Sequence, residues 1–181
     1  MMTMESSRMM KSGQTATNFK LEGTDGKTYS LKDFDKRFLL VVFMCNHCPY
    51  VKAKIKALKD LQSKFKDSLQ IVGINSNDPD YPEEGFDNMK MFAKERELNF
   101  PYLFDETQDV AKSYGATCTP DPFLFDSERR LIFHGRINDA MSPESPVTRN
   151  VMEENISTLL SGKKLEKDFD PSIGCSIKWK E

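Results

Sequence analysis

Cys45 and Cys48 stand with two residues between them, a spacing that lets two sulfurs close a bridge with little strain when the turn between them is tight. They follow the continuous apolar run Phe38–Met44 and precede Pro49, so they lie where a buried strand hands over to a helix. Unpaired backbone N–H groups and the positive end of the helix dipole favour a thiolate at such a junction. The residues therefore predict thiol–disulfide exchange, with a nucleophilic, partly exposed Cys45 and a more buried Cys48 that resolves the mixed disulfide. His47 can donate a hydrogen bond, or a charge when protonated, to the Cys45 sulfur. Either effect lowers the thiol pKa and makes the disulfide more oxidising.

Zinc is the competing chemistry for a Cys-x-x-Cys pair, and it needs four ligands. The remaining His and Cys residues, His47, His134, Cys118 and Cys175, show no second paired spacing, so no metal is expected. Flavin and nucleotide motifs are absent too, and no cofactor is expected. Cys118, two residues before Pro120, reads as a packed thiol, with a mixed bridge to Cys45 as the auxiliary alternative. Cys175 becomes a candidate further resolving thiol if the tail that carries it folds back onto the domain. His134 reads as structural.

The elements that must position the pair follow from apolar spacing. Val51, Ile55, Leu58, Leu61 and Phe65 recur at helical intervals, one stripe on a helix that opens at Pro49. Its six lysines between Pro49 and Lys66 read as a solvated face. Ahead of it, Phe19–Glu22 and Lys27–Leu31 alternate around Gly23-Thr24-Asp25-Gly26 as a hairpin. Beyond it come a buried strand at Leu69–Asn75, a polar surface loop at Ser76–Glu84, and a helix with Phe86, Met89, Phe92 and Ala93 inward. A strand at Phe100–Phe104 and a helix from Thr107 to Gly115 follow. Pro122–Asp126 and Arg130–Gly135 form an antiparallel pair, and Val147–Leu160 is a closing helix. Strands separated by helices call for a parallel core, and the last close-spaced pair makes the sheet mixed. The expected fold is α/β, a central mixed sheet flanked by helices with an N-terminal hairpin extension. Residues 1–13 are expected as a flexible tail, 14–162 as the domain, and 163–181 as an extension packed on it.

Two segments carry a family resemblance. Val41-Val42-Phe43-Met44-Cys45-Asn46-His47-Cys48-Pro49-Tyr50-Val51 resembles the active-site segment of the thioredoxin superfamily, and Cys118-Thr119-Pro120-Asp121-Pro122-Phe123 resembles its Thr-Pro loop. The likeness is to the peroxiredoxin-like branch, the redoxin or alkyl hydroperoxide reductase–thiol-specific antioxidant family, and runs from about Gln14 to Leu160. It implies a thioredoxin-like fold and a cis Thr119–Pro120 bond facing the cysteine pair. In that arrangement Thr119 and Pro120 would dock an extended polypeptide beside the reactive sulfur. The peroxiredoxin motif Pro-x-x-x-Thr/Ser-x-x-Cys, with its cysteine aligned to Cys48, would need Pro at Val41 and Thr or Ser at Cys45. Its distant Arg is replaced near Pro120, leaving Arg136 as the candidate spatial substitute.

The expected function is thus a thiol–disulfide oxidoreductase acting on protein or small-molecule disulfides and coupled to a thiol reductant or oxidant system. The alternatives are a peroxiredoxin-like thiol peroxidase and a non-enzymatic redox-sensing binding module. A net charge of −2 over 181 residues gives no support for a nucleic-acid partner. No run approaches the roughly 18 apolar residues of a membrane span. A cytoplasmic setting is expected, because the first residues lack the apolar run of a secretory signal.

Overall fold

The structure, a computed structural model, describes residues 2–181. In chain order the strands and helices are β1 (Thr3–Glu5), β2 (Lys20–Gly23), β3 (Thr28–Ser30), β4 (Phe38–Phe43), α1 (Pro49–Lys64), β5 (Leu69–Asn75) and α2 (Phe86–Glu95). They continue as β6 (Tyr102–Phe104), α3 (Asp109–Tyr114), β7 (Cys118–Thr119), β8 (Asp121–Phe125), β9 (Leu131–Gly135), α4 (Val151–Leu160), β10 (Phe169–Asp170) and β11 (Ile173–Ser176). Eight strands form the main sheet in the order β10-β9-β8-β4-β5-β6-β2-β3. Its centre β4-β5-β6 is parallel, and β8 and β9 add antiparallel on one side. This is the mixed sheet that the residue pattern implies, in the arrangement expected from the family resemblance.

β4 lies at the centre because every one of its side chains is apolar and buried. Successive residues of a strand point to opposite faces. Phe38, Leu40 and Val42 join Ile55, Leu58, Met89 and Ile156 in the core beneath the helices α1, α2 and α4. Leu39, Val41 and Phe43 join Val72, Ile74, Tyr114 and Phe123 in the opposite core, roofed by α3 and by Met10, Phe19 and Phe34. The α1 stripe is buried at all five positions. Pro49 occupies the first helical turn, where no intrahelical N–H bond is lost. Lys54 departs from the solvated face expected of the lysines. It is buried, and its ammonium donates to Asn138 Oδ1 and to the Ala140 carbonyl.

The start of the chain differs from its expectation, and the end adds strands that the sequence pattern did not show. Instead of a flexible tail, Thr3–Glu5 forms a strand, and Met10 is buried in the core. The end of the chain contributes β10, parallel to β9, and β11, which lies between β1 and β7 in a separate three-stranded sheet. The physical reason is backbone pairing, which needs no apolar pattern to specify it. A Cβ on Gly135 would fall 2.1 Å from the Asp170 carbonyl oxygen, so only glycine lets β10 approach.

Candidate active site

The end of β4 delivers Met44 and Cys45 to the floor of the site, and Cys48 is the N-cap residue of α1. The Thr119–Pro120 peptide bond is cis, as the family resemblance implies. Thr119 lies against both cysteines. Cys45 Sγ lies 3.3 Å from Thr119 Oγ1, and Cys48 Sγ lies 3.5 Å from the Thr119 carbonyl oxygen.

The partner of Cys48 is a correction to the sequence reading. Its sulfur is bonded to Cys175, 127 residues away, with the two Cα atoms 6.3 Å apart. Cys45 carries a free thiol. Cys175 reaches the site because β11 pairs antiparallel with β7, placing Cys175 opposite Thr119 and Ser176 opposite Cys118. The tail does fold back, and it lies directly over the loop that was expected to dock substrate.

The surroundings of Cys45 overturn a second expectation. Its side chain is completely buried, and burial pushes the thiol up to about 12, with the nearby Glu84 carboxylate adding to the rise. The Thr119 hydroxyl and the backbone N–H groups of Cys48 and His47 oppose this without matching it. A partly exposed thiolate is therefore absent from this closed state. The helix terminus is present as expected, but desolvation outweighs it.

His47 faces the Glu84 carboxylate. Its Nδ1 lies 2.5 Å from Glu84 Oε1, and its ring rests 4.8 Å from that of Tyr81. Nε2 finds no hydrogen-bond partner among the described residues. Glu84 is the residue that sequence reasoning missed, since it closes a polar loop with two prolines that reads as surface. It is 3% exposed, and its Oε1 also accepts from the backbone N–H groups of Asn46 and His47. Its Oε2 accepts from Asn75 Nδ2 at 2.8 Å. Burial alone would raise Glu84, but His47 and Asn75 together hold it below the ordinary carboxylate range. Tyr102 completes the network by donating to Asn46 Oδ1 at 2.7 Å. The one signal in the sequence was Asn75, a polar residue ending an otherwise apolar strand.

Cys45, His47 and Glu84 each bring one ligand atom within 4.8 Å of the others, a set that could hold a metal. A metal there would have to displace the His47–Glu84 contact and the backbone donors on the same oxygen. Cys118 packs as expected, buried beside Pro120, and burial drives its thiol far above the usual range. Arg136 does not reach the sulfurs. Its guanidinium donates to the Pro171 carbonyl and pairs with Asp170 at 3.2 Å, holding the tail in place. His134 is structural, buried against Asp121 at 2.6 Å.

Comparison with known proteins sets this geometry among relatives. Residues 12–134 match the model of the AhpC/TSA family. Thiol-disulfide oxidoreductase ResA of Bacillus thuringiensis subsp. konkukian is 27% identical over 124 residues, which covers 68% of each chain. Chloroplastic peroxiredoxin Q of Populus jackii is 33% identical over 105 residues, 57% of this chain and 46% of that protein. Among solved structures, an uncharacterized conserved protein from Geobacillus kaustophilus superposes with a TM-score of 0.93 at 40% identity, covering 99% of this chain and 97% of that one. The thioredoxin domain of a thiol-disulfide oxidoreductase from Bacteroides vulgatus superposes with a TM-score of 0.60 at 23% identity, over 69% of this chain and 88% of that one. At that identity the second likeness is one of fold.

Proposed function

This chain belongs to the AhpC/TSA family, and on that premise we propose that it is a thiol–disulfide oxidoreductase working through Cys45 and Cys48 on protein or small-molecule disulfides. One observation carries the reading. Cys48, at the N-cap of a helix and beside a cis-proline loop, is already in a disulfide, while a second thiol three residues before it rests on the same Thr119. The roles reverse the order expected from the sequence. Cys48, whose sulfur meets β11, exchanges with whatever lies along β7, and Cys45 is the thiol that closes the pair and frees the partner. A helix N-terminus favours negative charge on Cys48 when it leaves as thiolate. Thr119 aligns the exchanging sulfurs from its hydroxyl and its carbonyl. Glu84 and His47 set the charge beside Cys45. Arg136, the candidate for polarising a peroxide O–O bond, is engaged with the tail instead.

Insulin reduction with Cys45→Ser and Cys48→Ser tests the reading. Both variants should lose turnover, and Cys45→Ser/Cys175→Ser, which keeps neither proposed partner of Cys48, should accumulate mixed disulfides on Cys48. Accumulation on Cys45 in Cys48→Ser instead would restore the sequence order of roles. Full turnover in both variants would remove the pair from the chemistry.

A further inference from the structure

Residues 173–176 lie where an incoming substrate strand would have to lie. An extended polypeptide that presents a cysteine to Cys48 needs the edge of β7, its backbone hydrogen-bonding groups and the Cys48 sulfur. β11 occupies all three from within the chain. The fit is close, since a Cβ on Gly174 would fall 1.9 Å from the Thr119 carbonyl oxygen. Non-covalent ties hold both ends of this strand. Before it, Ser172 Oγ donates to the Pro120 carbonyl at 2.7 Å, and Ser172 and Ser6 exchange two hydrogen bonds of 2.9 Å. After it, the Lys178 backbone N–H donates to Asn77 Oδ1, and its carbonyl accepts from the Asp78 N–H and from Gln108 Nε2.

We propose that Cys175 is a third redox residue of this site and that β11 is an internal substrate strand. The disulfide moves between Cys48–Cys175, with the strand docked, and Cys45–Cys48, with the edge of β7 open to an external polypeptide. The inference rests on the exchange reading above. Cys45, as thiolate, attacks Cys48 Sγ. The Cys45–Cys48 bond forms while the Cys48–Cys175 bond breaks, and Cys175 departs as a thiolate that takes up the proton Cys45 gave away. One disulfide and one thiol stand on each side, so no outside oxidant or reductant enters the step. The same contact defines the substrate class. With so little room beside the Thr119 carbonyl, the polypeptides that replace β11 best are those with glycine immediately before the cysteine, as Gly174 precedes Cys175.

The test equilibrates wild-type and Gly174→Val proteins in a glutathione redox buffer, quenches them with acid, alkylates them and quantifies the linked peptides by mass spectrometry. Both linkages are expected in the wild type, with a shift of at least tenfold toward Cys45–Cys48 in Gly174→Val. Ser172→Ala keeps the strand's own sequence and removes one tie, so it should shift the ratio the same way by about fivefold, the worth of one net hydrogen bond. A Cys48–Cys175 linkage unchanged in both variants overturns the proposal and makes that bond a static staple. Cys175→Ser separates the two readings. If it forms Cys45–Cys48 and reduces insulin while the wild-type linkage never moves, only the role of the strand falls. If no variant reduces insulin, the exchange reading itself falls.

Discussion

Replacing Glu84 with Gln should make Cys45 ionise far more readily. The substitution removes a unit negative charge whose carboxylate oxygen lies within 4.8 Å of Cys45 Sγ, while the remaining amide oxygen can still serve the N–H groups of Asn46 and His47. Two unit charges at that distance repel by about 3.5 kcal/mol at an effective dielectric of about 20. Since about 1.4 kcal/mol is a factor of ten in protonation equilibrium, the thiolate fraction should rise by up to about 300-fold wherever the thiol is mostly neutral. The new amide nitrogen meets Asn75 Nδ2, donor against donor, at a cost of about 1–3 kcal/mol in stability. The assay is thiolate absorbance against pH in a Cys118→Ala background with the Cys48–Cys175 bond intact, which leaves Cys45 as the remaining thiol. With the parent thiol held up at about 12, almost no signal is expected at pH 9. Glu84→Gln should raise it by about a hundredfold or more. Superimposable titrations in parent and variant would refute the electrostatic account and leave burial as the sole cause.

Two further outcomes follow from the same site. Because folding raises Cys45 from 9.0 to about 12, the neutral thiol is favoured in the native state. Its contribution to stability is present below pH 9 and is lost as pH climbs from 9 through 12. Urea unfolding across that window should show a shallower alkaline loss in Cys45→Ala than in the parent, and equal slopes would mean the burial of this thiol costs nothing. The Cys48–Cys175 bond joins residues 127 apart, which constrains the unfolded chain by about 5 kcal/mol in the loop-entropy picture. Adding reductant to Cys45→Ala should lower Tm sharply and leave Cys45→Ala/Cys175→Ser unmoved. An equal drop in both would place the effect elsewhere.

Much of the frame was legible because it is written in apolar periodicity. The unbroken run Phe38–Phe43 could only be a strand covered on both faces, and the α1 stripe after Pro49 could only be a helix lying on it. The hairpin, β5 and the close pair β8 and β9 follow from the same patterning. Details set by single backbone angles were less legible. α3 starts at Asp109 after a left-handed Gln108, where Thr107 had looked like the cap, though Gly115 closes it as expected. The pairing of β1, β10 and β11 was invisible for a different reason. These are short strands whose order comes from main-chain hydrogen bonds and from two glycines that permit contact, and neither leaves an alternating pattern. The strand-to-helix junction that holds Cys45 and Cys48 was legible, yet spacing along the chain says nothing of a distant third sulfur. Glu84 was hidden because a carboxylate in a proline-bearing loop is ordinarily wet; only the convergence of His47, Asn75 and two backbone donors makes its burial tolerable.

The small sheet that joins Thr3–Glu5, Ile173–Ser176 and Cys118–Thr119 has a practical corollary for handling the protein. A purification handle joined ahead of β1 or beyond β11 would sit beside the small sheet that latches over the cis-proline loop. Preparations tagged at opposite ends, or with the tag cleaved, would then differ in how easily that latch lifts. Rates measured on one such preparation should be compared only with rates from the same design.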